Sequence, residues 1–133
     1  MRIALLGRMT INSYKDLTVW QVSMDLAAVC FDIVEAIPHP YRFTIADQLI
    51  PAGISIPSNI AEGSRRPTKA YLNHVSYSLG SHGEVEMLFE LVRRRKLVPD
   101  PLLDKGVVLI EPIGKMLHGL VESLELRVNA QHS

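Results

Sequence analysis

The sequence predicts an all-α fold, an antiparallel up-down four-helix bundle whose second and fourth helices are kinked at prolines. Three observations carry this. Apolar residues recur at helical spacing in four long segments, separated by proline- or glycine-containing breaks. No segment sustains the period-two alternation of a strand, and no Asn-Gly or Asp-Gly pair offers a hairpin turn. The joints are short, which favours antiparallel neighbours.

Residues 1–13 match nothing in the pattern that follows and are read as an N-terminal arm. Were Met9 the true start, the first eight would be a gene-model extension. The bundle domain is placed at 14–128. Its first helix opens on Thr18 with Gln21 three residues on, the form of a capping box, with Asp16 as an alternative cap. Val19, Val22, Leu26, Val29 and Ile33 make one apolar stripe, and Trp20, Met24, Ala27, Phe31 and Val34 a second beside it. The run Ile37-Pro38-His39-Pro40 stops it. The second helix is expected from Thr44, with Asp47 at the third position, to about Gly63. Pro51 and Pro57 inside it predict one bent helix instead of two short ones. The third starts near Thr68, carries Leu72, Val75, Leu79, Val85, Phe89 and Val92, and ends in Arg93-Arg94-Arg95-Lys96, where positive charge complements a helix C-terminus. After Val98-Pro99-Asp100-Pro101 the fourth presents Leu103, Ile110, Ile113, Leu117, Leu120 and Leu124, is kinked at Pro112, and frays into a polar tail, 129–133.

Among 133 residues, 47% are hydrophobic and 21% charged, a composition that suits one compact bundle or an oligomer with buried faces. Lys plus Arg equals Asp plus Glu at 14 each, so no global field attracts nucleic acid or an acidic membrane. Cys30 lies in an apolar helical pattern and cannot form an internal disulfide, which suits a reducing cytoplasm. No stretch approaches the roughly 20 apolar residues that cross a bilayer, so no membrane partner is expected.

No nucleophile elbow, phosphate loop, dinucleotide fingerprint or zinc-protease motif occurs. Glu62 and Glu84 are interior candidates for a di-metal carboxylate site, but neither has a histidine three residues on. His82 precedes Glu86 by four without a second such pair, and His39, His74, His118 and His132 are scattered. Ser55, Ser58 and Ser81 have no base placed beside them by any sequence feature. No catalytic residue, metal or cofactor is assigned, and no enzymatic activity is expected.

The stretch SIPSNIAEGSRR, residues 55–66, is more informative. Pro57 frees the carbonyl of Gly53, which a nearby hydroxyl or a water can satisfy. Gln48, Ser55, Asn59, Glu62 and Arg66 form a polar stripe beside a wide apolar arc. Compact polar groups of this kind suit a seam between helices or between subunits. A turn near residue 65 pairs positions whose numbers sum to about 131, putting Ser55 level with Ser76 and Gln48 level with Glu84. Glu84 is therefore expected as a partly buried carboxylate held by Gln48 or a neighbouring hydroxyl.

Two basic clusters remain, Arg65, Arg66 and Lys69 at the second turn, and Arg93, Arg94, Arg95 and Lys96 about 40 Å away along the third helix. Repeated by symmetry in an oligomer, they would form a ring of positive potential that the zero net charge conceals. Aromatic interleaving for base stacking is weak: only Tyr71 and Tyr77 lie close to the first cluster in sequence, and a packed position suits both.

Tyr14-Lys15-Asp16-Leu17 with Trp20, then Gln48, SIPSNIAEGSRR, Leu79-Gly80-Ser81 and Glu84 resemble the four helix bundle proteins of the bacterial 23S rRNA intervening-sequence (S23-type) family. The likeness runs from about Tyr14 to Leu124, and Ser55, Ile56, Pro57, Asn59, Ala61, Glu62, Gly63, Arg66, Gly80, Ser81 and Glu84 match its signature. The resemblance implies an up-down four-helix bundle, no enzymatic activity, and similarity to proteins that assemble as pentamers. Relatives include accessory proteins of diversity-generating retroelements, which bind nucleic acid and a reverse transcriptase through basic surfaces. This chain departs from those relatives in its neutral charge and in Pro51, where a basic or polar residue is usual.

Two readings follow. One is a non-enzymatic homo-oligomer, a pentamer by family analogy, that binds RNA or a ribonucleoprotein through symmetry-repeated basic clusters. The alternative is a protein–protein adaptor or assembly module with no nucleic-acid contact.

Overall fold

Four amphipathic segments become four helices in the computed structural model, which describes residues 4–6, 9–11 and 13–131. They are α1 (Thr18–Ala36), α2 (Asp47–Gly63), α3 (Thr68–Arg94) and α4 (Asp100–Gln131). Helix α2 packs against α1 and α3, and α4 against α3 and α1, so each helix has two neighbours around one core. Leu26, Cys30 and Ile33 of α1 meet Leu49, Ile56 and Ile60 of α2, with Val75, Val85 and Leu88 of α3 and Leu103, Ile113 and Leu117 of α4. Each such large apolar side chain contributes about 1.5–3 kcal/mol when taken fully out of water. Helices α1 and α2 approach closely at Gly53, where a Cβ would lie 3.0 Å from the sulfur of Cys30. Pro51 and Pro57 lie within α2 and Pro112 within α4, and both helices run unbroken through them.

Contacts across α2 and α3 run in opposite directions along the two helices. His74 meets Asn59, Ser78 meets Ile56 and Ser81 meets Ser55. The same order holds between α3 and α4, where His82 meets Ile110 and Arg93 meets Asp100 and Asp104.

Several local expectations are corrected. Thr18 does not cap α1: a 3-10 turn, Tyr14–Asp16, capped by Ser13, delivers Leu17 as the N-cap, and no side chain bonds there. Gln21 instead reaches back to donate to the Lys15 carbonyl at 2.9 Å. Helical winding toward α2 begins at His39 and not at Thr44. Pro38 and Pro40 preset helical φ, so the chain passes through a turn at His39–Tyr41 and a wider π-turn at Arg42–Ala46 directly into α2. Arg42 then donates to the carbonyls of Ile37 and Glu35, placing a cation at the C-terminus of α1. Met24 and Phe31 of the second α1 stripe are exposed, because the core-facing arc is filled by Val19, Ser23, Leu26, Cys30 and Ile33. Helix α4 continues through Asn129 to Gln131, whose side chain donates to Thr68 at 3.3 Å. Within the N-terminal arm, strands β1 (Ala4–Leu6) and β2 (Met9–Ile11) pair antiparallel with Leu6 opposite Met9. The rest of the arm up to Asn12, and the tail residues His132 and Ser133, lie outside the described residues.

Candidate functional site

SIPSNIAEGSRR forms the C-terminal part of α2 and the turn beyond it. Ile56 and Ile60 are fully buried and Pro57 is buried beside them. Toward α3 the polar residues form a chain of hydrogen bonds. Asn59 Nδ2 donates to the carbonyl and the hydroxyl of Ser55, each at 3.0 Å. Ser81 donates its hydroxyl to Ser55 Oγ at 2.8 Å. Asn59 Oδ1 lies 2.9 Å from His74 Nδ1, and since the amide nitrogen is committed to Ser55, the ring nitrogen is the donor. Deeper in the interface, the buried Ser78 donates to the Ile56 carbonyl at 2.8 Å. Gly63 ends α2 against α3: a Cβ there would lie 2.7 Å from the Tyr71 ring and 2.8 Å from His74 Cβ. This is a seam between helices, satisfied within the chain.

The polar stripe is not continuous along that seam. Gln48 is exposed and donates to the Thr44 carbonyl at 3.2 Å. Glu62, Arg66, Gly80 and Glu84 are also exposed, and no hydrogen bond joins Glu84 to Gln48 among the described residues. The expected pairing fails because of the turn. Amides of Ser64, Arg65 and Arg66 bond back to Ile60, Glu62 and Gly63, so the chain winds on past residue 65 before reversing at Pro67. Ser55 therefore meets Ser81, not Ser76, and Glu84 faces solvent. Ser55 serves Asn59 and Ser81 in place of the carbonyl that Pro57 frees. Sequence reasoning did not assign His74, although it shares one α3 face with Ser78 and Ser81 at helical spacing.

The two basic clusters differ sharply. Arg93 Nη2 lies 2.6 Å from Asp104 and Nη1 3.3 Å from Asp100, clasping the joint between α3 and α4. Its hydrogen bond to Asp104 raises the guanidinium pKa further, so it stays charged. Arg94 pairs with Glu90 at 3.1 Å. Lys96 is left-handed, with φ 53°, and the Leu97 amide bonds back to Val92, so the lysine occupies the position where a helix C-terminus usually places glycine. Arg95 is exposed.

Arg65, Arg66 and Lys69 are all exposed, and none makes an ion pair among the described residues. They flank Pro67, the N-cap of α3, where no side chain caps the helix. Free amides and the positive end of the helix dipole add to the three cations. Tyr71 is half-buried, and burial raises its pKa while nearby Arg127 of α4 lowers it, so a fourth cation stands at this end. Tyr77 is 63% exposed.

Other chemistry is sparse. A groove of about 280 Å³ between α3 and α4 has Phe89 and Ile110 in its lining, with Glu86, Glu90 and Glu111 around them and Arg93, already paired with Asp100 and Asp104, as its one cation, so its net charge disfavours phosphate. His82 donates Nε2–H to the Ile110 carbonyl at 2.7 Å, so that nitrogen is not offered as a metal ligand. Among the described residues no group of three His, Cys, Asp or Glu is placed to hold a metal, and no helix is long and apolar enough to cross a membrane.

A family model described as 23S rRNA-intervening sequence protein matches residues 15–119. Among solved structures, a protein of unknown function from the S23 ribosomal protein family of Bacteroides thetaiotaomicron VPI-5482 aligns with a TM-score of 0.71 at 20% identity. The alignment covers 78% of this chain and 98% of that one, a likeness of fold. A search of curated proteins finds no match.

Proposed function

The chain belongs to the 23S rRNA-intervening sequence protein family, and from that premise we propose a non-enzymatic, homo-oligomeric bundle that binds RNA or a ribonucleoprotein through its α2–α3 turn. One observation carries the reading: Arg65, Arg66 and Lys69 are exposed cations without carboxylate partners among the described residues, beside an uncapped helix N-terminus. Arg93 and Arg94 are engaged by Asp104, Asp100 and Glu90, so the second cluster serves the fold more than a ligand. The helices run up and down in turn, which the oppositely ordered contacts of α2 with α3 and of α3 with α4 support, and we take the prolines inside α2 and α4 to bend them. The protein works in the cytoplasm, and five subunits are expected by family analogy.

Exposed Met87 and Leu91 on α3, with Met24 and Phe31 on α1, support self-association and equally favour the second reading, a protein–protein adaptor. Light scattering followed by RNA titration at two salt concentrations separates the two. Three phosphate contacts per protomer give a log–log salt slope of about −2 for single-stranded RNA. Replacing Arg65, Arg66 and Lys69 by Ala abolishes that slope. A strict monomer that binds no RNA ends the proposal, and binding that survives the triple replacement removes the site.

A further inference from the structure

The basic turn is followed along α3 by an aromatic residue, Tyr77, that is largely exposed. Lys69, Asn73 and Tyr77 follow one another at intervals of four along α3, and all three are exposed. Tyr77 lies about 12 Å along the helix from Lys69, a short reach for an extended nucleotide strand. Its ring is supported from behind. His74 meets Tyr77 edge to face at 6.2 Å between centroids and 87° between planes. His74 is in turn held by Asn59, and Asn59 by Ser55. The seam that locks α2 to α3 thus also supports Tyr77, which is 63% exposed and lies on the same helix as Lys69, a cation with no ion pair among the described residues. Cations track a phosphate backbone, while an exposed ring offers a π-face to a base. Bases within a duplex are already stacked on one another and cannot offer that face.

We infer that Tyr77 is a stacking platform for an unpaired base, and that the ligand of the α2–α3 turn is a single-stranded nucleic acid. This rests on the phosphate-binding reading of Arg65, Arg66 and Lys69, and deepens it.

The test is equilibrium titration of the full-length protein with oligouridine, and with the same strand annealed to oligoadenine. Wild type binds the single strand more tightly than the duplex. Tyr77→Ala weakens oligouridine binding by about 5- to 150-fold, the range for loss of one stacked base, and leaves the salt slope unchanged. Tyr77→Trp keeps the affinity. Equal binding of single strand and duplex, or wild-type affinity in Tyr77→Ala, overturns the inference and leaves phosphate binding standing. If wild type binds neither strand, the phosphate-binding reading falls as well. A drop in light-scattering mass on Tyr77→Ala places the ring in a contact between copies, and also overturns the inference.

Discussion

The hydroxyl of Ser81 donates to the hydroxyl of Ser55 at 2.8 Å, joining residues 26 positions apart across the face between α2 and α3. Two hydroxyls meeting at this distance require close helix approach, which explains why the residues that meet there, Ser55, Ser78 and Ser81, are short. Asn59 and His74 extend the same contact toward the basic turn.

Asn59 is the hub of that seam, so Asn59→Ala removes two donated bonds and one accepted bond together. It leaves the half-buried His74 donor without its partner, a loss of about 1–3 kcal/mol. Urea unfolding should show a lower midpoint with an unchanged slope. Ser55→Ala and Ser81→Ala should be non-additive, since each removes the same hydroxyl pair. A midpoint unmoved by Asn59→Ala would deny the seam any part in stability.

Gly63 and Gly80 respond oppositely to alanine. At Gly63 the new Cβ would sit 2.7 Å from the Tyr71 ring and 2.8 Å from His74 Cβ, so Gly63→Ala forces α3 outward at about 1–3 kcal/mol. At Gly80, inside α3, nothing lies within 4 Å of the new methyl, and alanine gains up to about 1 kcal/mol of helix propensity. Thermal unfolding of the two variants in parallel checks the signs. Destabilisation by Gly80→Ala would mean that another chain approaches the helix there.

What the sequence made legible, and what it did not, divides along the range of the forces involved. Periodicity located all four helices, because Leu26, Ile56, Val85 and Leu117 record the core by their spacing alone. The sequence places the start of α1 at Thr18 correctly but not its cap, nor the entry to α2, because capping residues compete with nearby turns. Ser13 and Pro38 decided those starts, leaving no capping role to Thr18 or Thr44. Glu84 faces solvent and not the expected seam because a shift of a few residues at the turn moves every cross-helix pair. The extra winding after Gly63 depends on three backbone bonds that leave no mark in composition. The two Arg clusters look alike in sequence, and only the folded joint brings Asp104 to Arg93.

Cys30 predicts an alkaline instability. It is fully buried, and desolvation pushes its thiol from 9.0 up to about 12. Between those values the unfolded chain loses the thiol proton while the folded chain retains it. Stability from this group is therefore complete below pH 9.0 and falls by about 1.4 kcal/mol per pH unit as pH rises toward 12. Urea titrations at pH 8 and pH 10 should differ in this sense, and Cys30→Ala should flatten the difference while lowering stability at both. An unchanged pH dependence in Cys30→Ala would assign the alkaline loss to other groups.

Lys96 separates the structural from the ligand-binding role of the second basic run. Its φ of 53° is a left-handed conformation that costs a side-chain-bearing residue roughly 1–2 kcal/mol, and glycine adopts it without that cost. Lys96→Gly should therefore stabilise the fold by up to about 1 kcal/mol after glycine's greater chain entropy is deducted, read as a higher urea midpoint. Its effect on RNA binding should be nil if, as proposed, the phosphate contacts lie at Arg65, Arg66 and Lys69. Arg93→Gln should do the reverse to stability, opening the clasp on Asp100 and Asp104, while leaving the salt slope as it was. Weaker RNA binding in a stabilised Lys96→Gly variant would return the lysine to the ligand surface. It would also make both ends of α3 part of one site.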